Sequence, residues 1–188
     1  MTILLLAGCG QANTATCLDL PASASTAIAS IDDAFDLLLN SDDRSVRYSA
    51  TLYLKLNLKG ELTSHYGKLL FQLSNLKARL KVYESMGFAG DGGTAQLLAH
   101  YLLAEEEIDA KVQIICSLGS IGSDASPALR SIEYVRNKYP EQFRIGRSQG
   151  GTVILRSRSN DAAWIIREDS MSPEEFVALA NRAIDRIR

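Results

Sequence analysis

Three cations recur at a fixed spacing, Arg47, Arg79 and Lys111, each 32 residues from the next. Held in a row they would form a positive stripe suited to a partner with an acidic face. Each also follows Asp43, Asn75 or Glu107 by four residues, a spacing at which helical side chains meet. The stripe then becomes a ladder that pairs within a helix or with the acidic residue of the next unit, and this is the favoured reading. Other candidates for chemistry are thinner. The stretch from Gly87 to Gly93 is rich enough in glycine for a phosphate loop, but no strand precedes it and no Gly-Lys-Ser/Thr closes it, so it reads as a linker. His65 and His100 have no second ligand at metal spacing, and Cys116 alone completes no site. Glu105, Glu106, Glu107 and Asp109 could hold a divalent cation, yet a helix start that favours negative charge accounts for them with less. No nucleophile stands beside a base. The expectation is a protein without catalysis, metal or cofactor.

The elements that carry these residues repeat with the same period. Leu37-Leu38-Leu39, Asp43, Val46-Arg47 and Ala50 return as Leu69-Leu70-Phe71, Asn75, Ala78-Arg79 and Val82, then as Tyr101-Leu102-Leu103, Glu107, Ala110-Lys111 and Ile114. A period of this length marks a solenoid, whose units cannot bury their apolar faces alone. Ile31, Ala34, Phe35, Leu38 and Leu39 share one helical face, and Ser30 with Asp32 and Asp33 starts that helix. A turn at Ser41-Asp42 leads to a second helix from Asp43 or Arg44 to about Leu56. The later units pair Ser64 to Leu73 with Leu76 to Met86, and Thr94 to Leu103 with Glu107 to Leu118. Gly87 with Gly90, and Gly119 with Gly122, are expected where helices stop in left-handed turns. In this arrangement Arg47, Tyr48, Arg79, Tyr83 and Lys111 fall on the second helices, the concave row, and are the candidate partner-binding residues.

Leu38-Leu39, Asp43, Val46-Arg47 and Ala50, and likewise Leu102-Leu103, Asp109, Lys111-Val112, Leu118-Gly119, Ile121-Gly122 and Ala125 to Leu129, resemble HEAT repeats of the short bacterial type. The resemblance covers Ile31 to Tyr139. It implies a mainly α fold, an α-α superhelix of three to four helical hairpins, whose cations hold units in register. A fourth unit begins at Ser126 and breaks, with Tyr139-Pro140 ending its helix.

Residues 1–30 are of another kind. A short apolar run ends in Leu6-Ala7-Gly8-Cys9, which resembles the lipobox of bacterial lipoproteins. No Lys or Arg precedes the run, as a start codon set too far downstream would leave it. The resemblance implies a lipid on Cys9 and, with Gly10 following, an outer-membrane location facing the periplasm; an unprocessed chain would be cytoplasmic. Residues 11–30 are rich in Ala, Ser and Thr and read as a tether. Cys17 in that tether and Cys116 inside a repeat helix are expected to be free thiols.

After the repeats at 31–142, the tail at 143–188 differs again. Thr152 to Arg158 and Ala162 to Arg167 alternate as a β-hairpin across Ser159-Asn160-Asp161. Ser172, Pro173 and Glu175 make a capping box for a helix with Phe176, Leu179, Ala180, Ala183, Ile184 and Ile187 on one face. This ββα piece is expected to cap the open end of the solenoid. Up to Gln142 there are 12 basic and 16 acidic residues, a net of −4, and beyond it 8 and 6, a net of +2. Arg156, Arg158 and Trp164 in the hairpin are further candidate contacts, since Arg and Trp are enriched in binding hot spots.

With a net charge of −2 over 188 residues and a pI near 5.7, the chain shows no basic excess for nucleic acid. The expected function is a protein-binding adaptor or scaffold in the cell envelope, contacting another protein through its concave face and the membrane through its lipid. Two alternatives stand beside it: a lipoprotein immunity protein against a periplasmic toxin, and a ligand-modifying enzyme of the phycobilin-lyase-like HEAT type.

Overall fold

A computed structural model of the chain describes residues 27–146, 153–155, 164–166 and 171–188, and the described part is mainly helical. The helices are α1 (Ile31–Asn40), α2 (Arg44–Leu58), α3 (Leu62–Gln72), α4 (Leu76–Ala89), α5 (Gly92–Ala104), α6 (Ile108–Ile121), α7 (Leu129–Gly146) and α8 (Pro173–Ile187). A single 3-10 turn, Lys59–Glu61, leads into α3, and a longer 3-10 segment, Gly122–Ala128, into α7. Strands β1 (Val153–Leu155) and β2 (Trp164–Ile166) pair antiparallel, with Ile154 opposite Ile165. No helix among the described residues is long and apolar enough to cross a membrane.

Side-chain caps set most helix starts. Ser30 accepts from the Asp33 amide at 3.0 Å, Asp43 from Ser45 at 2.8 Å, and Asp91 from Thr94 at 2.7 Å. Each satisfies an amide that the helix itself leaves without a partner. Asp43 and Asn75 therefore act as caps and do not pair with the cations four residues on. The Ser172–Glu175 capping box forms in full at the start of α8.

Packing arranges the helices in two rows. α1 lies on α2, α3 on α4 and α5 on α6; α2, α4, α6 and α8 follow one another on one side, while α3, α5 and α7 follow on the other. The most extensive contact joins α4 and α6. From Val82 to Ala89 only Glu84 of α4 is not fully buried, and α6 is buried continuously from Ile114 to Gly119. Neither helix presents a free face over these stretches.

Three expectations need correction. Pro140 does not end its helix: α7 runs through it to Gly146. The lost amide costs one bond, but Tyr139 beside it is fully buried, stacks on Phe176 at 4.3 Å and donates its hydroxyl to the Met171 carbonyl at 2.6 Å. These contacts hold the turn helical. The chain also does not break off after α7 into a separate ββα piece, because α8 packs on both α6 and α7. β1 and β2 lie between α7 and α8 in sequence, with β1 against α7 and β2 against both α6 and α7. Finally, Gly90 and Gly122 do stop their helices at φ +62° and +73°, but Gly87 and Gly119 are buried inside α4 and α6. A Cβ on Gly87 would stand 2.8 Å from the Ser117 backbone, so the glycine is there to let the two helices touch.

Candidate functional site

The repeated cations come together along the seams between hairpins. Arg47 of α2 donates from Nε to Glu84 of α4 at 2.7 Å, and Arg44 from Nε to the other oxygen of the same carboxylate at 2.8 Å. The Arg44 guanidinium also sits 5.3 Å from the Phe88 ring, whose edge Tyr48 meets at 5.2 Å. One hairpin on, Arg79 of α4 donates to Glu105 through Nε at 2.9 Å and Nη2 at 3.2 Å. Arg47 and Arg79 each reach back as well to the turn before their own helix, at the Ser41 and Ser74 carbonyls. Paired forks of this kind fix orientation as well as charge.

Glu105 is the centre of the second seam. It is 9% exposed, and besides Arg79 it accepts the Tyr83 hydroxyl. Burial and the hydrogen bond to Glu105 push the Tyr83 hydroxyl well above its usual pKa, and burial with the Glu105 charge also raises Tyr101, whose ring lies 5.8 Å from that of Tyr83. Lys111 has a different fate from the two arginines. Only 1% exposed, it donates from Nζ to the Leu102 carbonyl at 3.0 Å. Burial lowers its pKa from 10.5 to about 8 against the opposing charges of Glu105 and Glu106.

Tyr83 and Lys111, expected on an open contact surface, are thus closed off from solvent. The cause is the all-round burial of α4 and α6 where they pack on each other. Arg47 and Arg79 are mostly covered and are spent on carboxylates of the next hairpin, while Tyr48 is half-buried against Phe88. Cys9, Arg156 and Arg158 lie outside the described residues. Trp164 is a β2 residue paired with Leu155, and its side chain is likewise outside the description. His100 is exposed and His65 half-buried beside Phe35. Among the described residues no cluster of His, Cys, Asp and Glu is suited to a metal ion. Cys116, expected as a free thiol, is disulfide-bonded to a partner outside the described residues. A buried helix position would protect a thiol, but it equally shields a cross-link made before α6 packs.

No family model, curated protein or solved structure matches this chain. The site must be read from its own geometry, which includes residues that the period did not single out. Glu84 and Glu105 occupy different places in their units, so no repeat marks them. Lys81 spans from α4 to the Leu39 carbonyl and Asp42, both at 3.1 Å, and Lys77 and Lys81 hold the Asp42 carboxyl below its usual pKa. Ser85 and Ser117 are one period apart, a signal the sequence does carry. Ser85 joins Thr51 at 2.6 Å and the Tyr66 hydroxyl at 2.7 Å, and Ser117 donates to the Tyr83 carbonyl at 2.7 Å. The bonds to Thr51 and to the Tyr83 carbonyl join neighbouring hairpins and the one to Tyr66 lies within its own, and no described buried side-chain polar atom lacks a partner.

Lys111 makes the stability of this assembly depend on pH. Below about pH 8 both states carry its proton, and the folded one bears the whole cost of a buried charge. Between about 8 and 10.5 only the unfolded chain still binds it, so the cost falls and stability rises with pH. Above pH 10 the raised hydroxyls of Tyr66, Tyr83 and Tyr139 reverse the trend. Urea midpoints from pH 7 to 10 are expected to climb in the native protein and stay flat in Lys111→Met. An equal climb in both would exclude Lys111 as the source.

Proposed function

We propose that the chain is a non-catalytic protein-binding adaptor, a HEAT-like solenoid of four helical hairpins anchored in the bacterial cell envelope by a lipid on Cys9. Its fourth hairpin is split by the insert that carries the β-hairpin. The helix order supports this architecture, since each hairpin rests on the one before and α8 completes the last. The lipobox-like Leu6-Ala7-Gly8-Cys9 supports the anchor, and the disulfide at Cys116 fits an oxidising compartment better than the cytoplasm. The same disulfide speaks against a lyase working in the cytoplasm.

The observation that carries the binding reading is a pair of exposed apolar side chains at one repeat position. Phe71, the penultimate residue of α3, is 89% exposed, and Leu103, one period later near the end of α5, is 45% exposed. Since α3 and α5 are neighbours in their row, the pair marks the outer rim of adjacent hairpins. A lone exposed leucine is ordinary, but a nearly bare phenylalanine next to a repeat-equivalent leucine suits an apolar anchor on a partner protein. The cation stripe is the weaker surface, because its charges already hold the seams. Cross-linking in intact cells tests this. Phe71→Asp with Leu103→Asp should abolish a cross-linked species that the native chain forms, with the helical circular dichroism unchanged. Persistence of that species in the folded double variant sinks the rim as the contact.

A further inference from the structure

We propose that this chain pairs with a second copy of itself by exchanging first hairpins, α1 with α2, on a hinge at Lys59. Lys59 has φ +45° and ψ −125°, and among the described residues it is the one residue other than glycine at positive φ. A lysine held there is strained by its Cβ, as a glycine is not. The later hairpins show what such a turn ordinarily uses. Helices α4 and α6 stop at Gly90 and Gly122, one period apart and both at positive φ, whereas the residue one period before Gly90 is Leu58. Lys59 makes the turn instead, although Gly60 stands next to it.

On either side of Lys59 the chain is already helical. Leu58, Glu61 and Leu62 have φ −93°, −84° and −57° with right-handed ψ, the Lys59 amide donates to the Lys55 carbonyl, and the Leu62 amide donates to the Lys59 carbonyl. Rotation of Lys59 into the right-handed region would join α2 and α3 into one helix from Arg44 to Gln72 and release the strain. Gly60 inside that helix is the opposing cost that keeps the closed turn competitive. In the joined helix Arg47 would stand roughly 22 Å before Leu62 along the axis, out of reach of Glu84 on the α4 that packs against α3. The first hairpin meets the rest of the chain chiefly through α4, and specific polar pairs make that seam: Arg44 and Arg47 on Glu84, Lys81 on Asp42, and Thr51 on Ser85. Once swung out, the hairpin can satisfy them together only on the α4 of a copy opened in the same way. Two such chains close a symmetric pair in which each seam is rebuilt between copies. A short hinge under strain is the setting that invites such an exchange.

The test is light scattering of full-length protein refolded from urea at low and at high concentration, combined with a cysteine pair, Thr51→Cys with Ser85→Cys. The Thr51 and Ser85 hydroxyls lie 2.6 Å apart across the seam, so the two cysteines link within one chain when it is closed and between chains when hairpins are exchanged. Expected are a monomer from dilute refolding and a dimer from concentrated refolding. The dimer fraction of the cysteine pair should run as a covalent dimer on a denaturing gel without reductant, and neither single variant should. Lys59→Gly, at an exposed site, keeps the closed turn without its strain and should raise the dimer dissociation constant roughly 30-fold or more, because two hinges lose their release. Lys59→Val, which tolerates positive φ still less, should lower it. A chain that stays monomeric after concentrated refolding overturns the inference. So does a dimer whose cysteine pair closes within each chain, or one that Lys59→Gly leaves unchanged, since either puts the association on another surface such as the rim of Phe71 and Leu103.

Discussion

Glu105→Ala should cost the protein about 3–5 kcal/mol, the range for leaving a buried charge without its partner. The carboxylate is the shared acceptor of Arg79 and the Tyr83 hydroxyl and lies close enough to Lys111 to stabilise its charge. Its removal leaves a mostly covered guanidinium and a buried phenol facing the same gap, and takes away a carboxylate that offsets the buried charge of Lys111. The loss is to be read from urea unfolding at pH 7, and the Arg79→Met, Glu105→Gln cycle separates the pair from its surroundings. If the double variant loses the sum of what Arg79→Met and Glu105→Gln lose singly, the packing of these side chains matters and their pairing does not. The corresponding Glu84→Ala should cost less, since Arg44, one of its two arginines, keeps more access to water than Arg79 does. Charge reversal at Arg79 should likewise read out as lost stability before any effect on a partner.

Gly87→Ala is the second large effect, and its sign is opposite to what helix propensity gives. In an open helix the change would gain about 1 kcal/mol. Here the new methyl meets the Ser117 Cα and Cβ at 2.8 Å and its Oγ at 3.0 Å. Two of these atoms belong to or adjoin the backbone of α6, so the clash is relieved only by moving α4 and α6 apart along the largest contact in the fold. A net loss of about 2–3 kcal/mol is expected, near the top of the overpacking range. Gly60→Ala is the matched control, since nothing lies within 4 Å of the added Cβ, and it should be neutral. Thermal unfolding of the two variants compares them directly, and equal midpoints would mean that α4 and α6 do not approach as closely as described.

The period that relates Leu38, Leu70 and Leu102 was enough to place six helices to within about three residues at each end, because each apolar face is set locally by spacing and most starts by a cap. The caps at Ser30 and Ser172 were readable for the same reason. What stayed hidden is whatever depends on two units meeting. Gly87 looks like a helix stop until Ser117 is opposite it, and Pro140 looks like a break until Tyr139 is seen locked to Phe176 and Met171. Arg47 and Arg79 were legible as ladder cations, but their acceptors were not, for Glu84 lies mid-helix and Glu105 at a helix end and no periodicity links them. Lys111 shared their position and not their environment, since charge patterning says nothing of burial. Phe71 and Leu103 were visible in the repeat as apolar residues, and only the placement of α3 and α5 leaves them uncovered.

The position of α8 bears on how this protein is made. Its buried face, from Phe176 to Ile187, fills the side of α6 that α4 does not, and it follows the first three hairpins in the chain by the length of α7 and the insert. The first three hairpins can form as synthesis proceeds, but the flank of α6 stays bare until α8 has been made. A chain stalled or clipped within the insert would display that apolar flank and be a natural client for holding chaperones.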